Sequence, residues 1–534
     1  MMVKFKSEGD KMKVLIITGK LAGELVIKAS STKKHDVHVH IADILIAAFL
    51  TPRRIINEIK KLDDSIISDL DLILIPGLIP RDASIITKET GIPAYKGPTD
   101  AADLPIVLDL LDRLKLSPKK AADRLIEEEQ RKRALKFIKD FEEDEKKREK
   151  LLKKEENILV GELPVGRDFP MRVLAEVAKA PFLKKEQLVK QVNYLMKSGA
   201  DIIDIRTIPG EDLSKQIPEI IRTVKRVAGN LPVSIDTLNP DEIEVAVKAG
   251  ADLVLSLDHG NYKEVLPLLE EKNIPAVILP TDYNRGWIPE TAEEKVKSLE
   301  SLKRKCKSID VIPDPILDPV NSKSIVDSIK ACREYTSRNP EPIFFGAGNV
   351  AELIDVDSTG VNALLAGMGM ELGAGILFTP EVSGKNKGSA YELAVASRMM
   401  FLAKNRKSIP KNLGIDLILF KDKRKHEKVK EKIEVPIIEA QGGIEFIQDK
   451  AGSFKILVED DKIKVIHYKN MEPQIALVSD NAKKLYEEII KKNLVTRLEH
   501  AAYLGAELQK AEIALVTGKD YRQDLELFRK PFKL

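Results

Sequence analysis

The stretch GADIIDIRTIPGED, Gly199 to Asp212, sets the architecture of the central chain. Its Gly-Ala closes a helix, because glycine takes the left-handed conformation that ends one without a steric penalty. The apolar run Asp201–Ile205 that follows is too short for a helix and is bounded by Thr, Pro and Gly, so it reads as a strand. The same punctuation recurs where Gly250-Ala251 precedes Leu253–Ser256 and Gly373-Ala374 precedes Gly375–Phe378. Five more strand-like runs alternate with helical patterns, at Arg172–Val177, Val233–Asp236, Ala276–Leu279, Val311–Asp314 and Ile343–Gly346. Eight β/α repeats over roughly 230 residues match the strand count of a closed (β/α)8 TIM barrel.

A chain of 534 residues exceeds one ordinary core,. The fold class expected is α/β: a central (β/α)8 barrel over residues 158–407, a small α/β domain over 1–116 and a C-terminal α+β domain over 408–534. Lys13–Thr18, Val37–Ile41 and Leu72–Ile75 supply strands of the first domain. Asp416–Phe420, and a hairpin of Phe454–Val458 and Lys462–Tyr468 about Asp460-Asp461, supply those of the last, before a helical stretch from His500 to Leu515. Between the first domain and the barrel, residues 117–157 are dense in Glu, Lys and Arg and read as a solvated helical linker.

Lys+Arg and Asp+Glu nearly cancel, 87 against 84, so no nucleic-acid partner is called for. No apolar run is long enough to cross a membrane, and a cytoplasmic location is expected. Cys306 and Cys332 form no CxxC pair. His35, His38 and His40 lack a third ligand nearby, and no metal site is expected. Thr18-Gly19-Lys20 follows a strand, as a phosphate loop does, but the GxxxxGK[ST] spacing is missing.

Active sites of such barrels sit at the C-terminal ends of the strands. There the sequence places Asp204, Asp236 and Asp314, and Gly346-Ala347-Gly348-Asn349 after the seventh strand. Carboxylates converging on one mouth raise one another's pKa unless a cation or a row of donors meets them. An Asp at a strand end also suits the cap of the next helix, and Asn in a Gly-rich turn suits a left-handed residue.

These strings carry a resemblance. GADIIDIRTIPGED, PVSIDT with AGADLVLS (Pro232–Ser256) and IPDPILDPV (Ile312–Val320) resemble the strand-two, strand-three to strand-four and strand-six motifs of dihydropteroate synthases. The resemblance implies a reduced pterin as ligand, whose 2-amino group and N3–H form a pair of donors that one carboxylate accepts. It carries Asp314, Asp236 and Asp204 over as pterin-binding carboxylates. At strand four the usual Asn is replaced by Leu255-Ser256, followed by Asp258, His259 and Asn261, so that contact is either missing or supplied by Ser256 or Asn261. GAGNVAEL (Gly346–Leu353) with VNALLAGMGMELGAG (Val361–Gly375) is similar instead to methyltetrahydrofolate:corrinoid methyltransferases. That similarity makes Asn349 the residue acting near N5 of the pterin and Asn362 its support.

Three functions follow from the resemblance: methyl transfer from a methyl-tetrahydropterin, a dihydropteroate synthase-like condensation of a pterin methyl pyrophosphate with an arylamine, and non-catalytic pterin binding. The first is favoured, because the Ser-Arg-Lys and Arg-x-His motifs that grip pyrophosphate in the synthases are missing. The anion-binding candidates that remain are Arg206, Arg285, Lys385 and Lys387. The methyl acceptor would be a corrinoid protein or a small thiol, with the corrinoid carried by the partner; a homodimer is allowed for.

Overall fold

The computed structural model describes residues 11–31, 34–99, 101, 104–208, 210–407, 409–411, 413–422, 435–443 and 447–529. Pro209 of the opening motif and Ser408, the expected start of the C-terminal domain, lie outside them. The chain divides into two compact units, Met1–Lys150 with Arg398–Asp416 and Leu151–Ser397 with Leu417–Leu534.

The first unit holds four parallel strands, β1 (Lys13–Thr18), β2 (Asp36–Ile41), β3 (Leu72–Ile75) and β4 (Ala94–Lys96), in the order β2-β1-β3-β4. Alternate residues of β1 and β3 feed two cores, Val14, Ile16, Leu72 and Leu74 on one face and Leu15, Ile17, Ile73 and Ile75 on the other. A sheet covered on both faces explains why these strands read as unbroken apolar runs. The turn after β1 is closed to anions, because the amides of Lys20 and Leu21 donate to the Ile44 and Leu45 carbonyls at 2.9 and 3.1 Å. The Lys20 ammonium is paired with Asp43 at 2.5 Å. His40 Nε2 lies 3.1 Å from Glu58 Oε2, while His35 Nδ1 accepts from the Met12 amide at 3.4 Å.

The charged stretch before the barrel forms two helices, Ala122–Glu143 and Glu145–Leu151. The longer one is not solvated all round. Ala134, Ile138 and Phe141 are buried at the spacing of one helical face, and the Phe141 ring meets Phe401 edge-on at 4.7 Å.

In the second unit a hairpin, β5 (Asn157–Val160) and β6 (Leu163–Gly166), precedes eight parallel strands. These are β7 (Arg172–Val177), β8 (Ile202–Arg206), β9 (Val233–Asp236), β10 (Leu253–Leu257), β11 (Ala276–Ile278), β12 (Val311–Pro313), β13 (Ile343–Phe345) and β14 (Ala374–Thr379). Their order, β12-β11-β10-β9-β8-β7-β14-β13, brings the first and last strands alongside each other and nearly closes the barrel. The eight runs read from the sequence are these strands. Inward-facing Leu174, Ile202, Leu253, Leu255, Val277, Ile312, Phe344, Ile376 and Phe378 fill the interior, joined by Ile158, Val160 and Val165 of the hairpin.

The C-terminal sheet has three antiparallel strands, β15 (Ser453–Glu459), β16 (Lys462–Lys469) and β17 (Glu472–Ser479), covered by the helices Ala482–Lys491 and Leu498–Thr517. The expected strand at Asp416–Phe420 does not form. Among the described residues it is paired in none of the sheets; Phe420 packs edge-on against Phe528. Among the described residues no helix is long and apolar enough to cross a membrane.

Candidate functional site

Strand geometry gathers the site. Side chains alternate across a strand, so inward Leu174 on β7 and Ile202 on β8 place Glu176, Asp204 and Arg206 inward as well. Register then sets their level: Glu176 lies opposite Asp204 and Asp204 opposite Ser234, with Arg206 opposite Asp236 one level nearer the strand ends. One carboxylate oxygen from each of Glu176, Asp204 and Asp236 lies within 4.8 Å of the other two. Among the described residues this is the grouping close enough to hold a metal ion. It already has a positive neighbour: Arg206 reaches Glu176 Oε2 at 3.5 Å and Asp236 Oδ2 at 3.9 Å.

One guanidinium does not neutralise three carboxylates, and burial disfavours their charged forms. Burial pushes Glu176 up to about 7, against the pull of Arg206. Asp204, fully buried, is raised well above the ordinary range, first by burial and then by the charges of Asp236 and Glu176. Asp236 is raised too, by burial, with Arg206 opposing. Ser234 Oγ donates to Asp204 Oδ1 at 2.5 Å, whereas Asp204 Oδ2 and Glu176 Oε2 are buried without a hydrogen-bond partner. The cluster therefore retains protons near neutrality and presents both donors and acceptors.

Asp314 stands just past β12, 8% exposed, with Oδ1 accepting from the Ile316 amide at 2.7 Å. Burial lifts its carboxyl to about 7. Asn349 follows β13 in the short helix Ala347–Ala351. It is half-buried, and its Nδ2 donates to the Leu317 carbonyl at 3.5 Å.

Several expected site residues are committed elsewhere. Asn261 spends its amide on backbone, Nδ2 donating to the Leu238 and Ser256 carbonyls at 3.0 Å and Oδ1 accepting from the Asp258 amide. It shapes the loop after β10 rather than offering a free contact. Ser256, 7% exposed, remains beside it. Asn362 gives Nδ2 to Ser389 Oγ and Glu392 Oε2, joining two outer helices, Ser358–Glu371 and Ser389–Arg406. That is a supporting position, not a ring-facing one. Of the anion-binding candidates, Arg285 pairs with Asp282, Lys385 with Asp355 and Lys387 with Asp520. Arg206 alone of the four faces the carboxylate cluster. Glu176 is not among the residues expected from the sequence: the strand-one run Arg172–Val177 ends on an apolar residue and carries none of the motifs behind the resemblance.

Comparison with known proteins adds the following. The family model "Pterin binding enzyme" matches residues 176–350, and a second, "PterinBD-DUF4346", matches residues 448–524. An uncharacterized protein of Methanocaldococcus jannaschii is 45% identical over 531 residues, covering 97% of this chain and 99% of that one. A dihydropteroate synthase of Clostridium beijerinckii is 31% identical over 108 residues, 18% of this chain and 40% of its own length. Among solved structures, the dihydropteroate synthase of Xanthomonas albilineans is 17% identical, covers 48% of this chain and 100% of its own, and superposes with a TM-score of 0.38.

Proposed function

The chain belongs to the dihydropteroate synthase-like pterin-binding superfamily, whose members are transferases, and on that premise we propose that it transfers a methyl group from a methyl-tetrahydropterin. The charge inventory of the mouth carries this reading. Among the described residues, the carboxyls of Glu176, Asp204, Asp236 and Asp314 are met by the guanidinium of Arg206, which is itself shared between Glu176 and Asp236. A synthase must hold a departing pyrophosphate, a multiply charged anion that needs several cations in forked contact. A methylated tetrahydropterin brings instead a ring edge of N–H donors, which carboxylates accept.

In the proposed step the N5–methyl bond breaks with its electron pair staying on nitrogen, while the acceptor's lone pair forms the new bond to carbon. A proton delivered to N5 makes that nitrogen a neutral leaving group. Asp204, raised well above the ordinary carboxyl range, and Glu176, at about 7, would hold a proton for this task, and Asn349 would orient the ring at N5. Asp314 would grip the 2-amino and N3–H edge, beside Asp236 and Ser256. A corrinoid protein or a small thiol would serve as acceptor.

Calorimetric titration tests the reading. The wild-type protein is expected to bind a methyl-tetrahydropterin, and Asp314→Asn, which turns one acceptor oxygen into a donor, should weaken binding on the order of 100-fold. Preference for a pterin methyl pyrophosphate would return the synthase reading, and binding of neither by folded protein would sink both.

A further inference from the structure

Ile316 has a φ of +58°, a left-handed conformation that branching at Cβ disfavours. The residue is held there from both sides. Its amide donates to Asp314 Oδ1 at 2.7 Å, and its carbonyl accepts from Lys295 Nζ at 2.8 Å. Lys295 comes from another element, the helix Ala292–Lys305, and is 3% exposed. A buried ammonium is stable only where acceptors replace its water. Here its three donors meet three acceptors, with Asp318 Oδ2 at 2.7 Å and Ser328 Oγ at 3.3 Å completing the set. Ser328 in turn donates to Asp318 Oδ2 and accepts from the Asp318 amide. The segment from Asp314 to Asp318 is thus fastened through one side chain, and its Leu317 carbonyl is the acceptor for Asn349.

We infer that Lys295 is a positioning residue of the pterin site: by gripping the Ile316 carbonyl it holds the left-handed turn that orients Asp314 and steadies Asn349. The Ile316 amide takes one acceptor site of Oδ1 and sets the carboxylate's plane, leaving its remaining acceptor sites for the ligand's donor pair,. This inference rests on the reading of Asp314 as the carboxylate that grips the pterin edge.

Four proteins test it: wild type, Lys295→Met, Ile316→Gly and the double variant, each titrated with methyl-tetrahydropterin after thermal unfolding shows it folded. Glycine adopts a positive φ without strain, so it keeps the turn without the clamp. Lys295→Met is expected to weaken binding by about tenfold or more, Ile316→Gly alone by less than about threefold, and the double variant to return to within about threefold of wild type. A double variant as weak as Lys295→Met overturns the inference, as does Lys295→Met binding like wild type. Where Lys295→Met does not fold, Lys295→Gln with Asp318→Asn, which leaves no unpaired buried charge, replaces it. Should wild type bind no reduced pterin, the functional reading fails on its own. The clamp is then judged from unfolding in urea, where additive effects of the two substitutions overturn it and non-additive ones uphold it.

Discussion

Glu176 couples the chemistry of the site to the stability of the barrel. Its carboxyl lies at about 7 in the fold against an ordinary 4.5, so the folded protein keeps a proton that the unfolded chain releases between those values. Its contribution to stability is fully present below about pH 4.5 and is lost as pH rises to about 7, on the order of 3 kcal/mol in all,. Glu176→Gln stays neutral at every pH. It should match wild type in urea unfolding near pH 5 and exceed it near pH 8 by on the order of 3 kcal/mol. Equal stability of the two proteins across that range would mean Glu176 is not held protonated. The residue was legible in principle: once Leu174 is taken as inward, strand periodicity points Glu176 the same way. Asp236 and Asp314 are easier to find because they terminate their runs, and Asp204 because it lies in the strand-two motif. Asn261 is engaged by its own loop, at Ser256 and Asp258, and by Leu238, and Asn362 by a helix roughly thirty residues on, which residue spacing does not reveal.

At the level of elements, Gly346 leaves room at the start of the short helix after β13 for the side chain of Asn349, proposed to act at N5. A Cβ added at Gly346 would stand 2.5 Å from Asn349 Nδ2. Gly346 has a φ of −73°, so alanine there would strain no backbone and would displace only the end of a flexible side chain. Gly346→Ala is therefore expected to unfold within about 1 kcal/mol of wild type while lowering methyl-transfer turnover severalfold. Unchanged turnover would count against a role for Asn349 at N5. The barrel strands were legible because Gly-Ala punctuation and short apolar runs repeat with them. The hairpin β5–β6 was hidden because it follows charged helices without a break in composition, and β17 because its Glu-Pro-Gln start reads as loop. Asp416–Phe420 has the composition of a strand but joins none of the sheets among the described residues, and pairing is a tertiary property.

Across the whole molecule the charge is close to balanced, with a formal net of +3, so any selectivity between ligands of different charge must come from the local field of the mouth. That field is set by carboxyls at the strand ends, while Arg285, Lys385 and Lys387 are each paired with an aspartate. A pyrophosphate approaching the mouth meets negative or proton-sharing groups first and gains one forked contact, from Arg206. Its affinity should accordingly be weak. In a competition titration, inorganic pyrophosphate at millimolar concentration is expected to leave the binding of methyl-tetrahydropterin unchanged, at low as well as at high salt. Salt is the informative variable, because screening weakens interactions between exposed charges beyond about 10 Å at 0.1 M. Competition that appears at low salt and fades at high salt would require Lys385 and Lys387 to leave Asp355 and Asp520 and turn toward the ligand. The Gly384 to Gly388 loop would then be an anion clamp, and the condensation chemistry of the synthases would become the better description of this barrel.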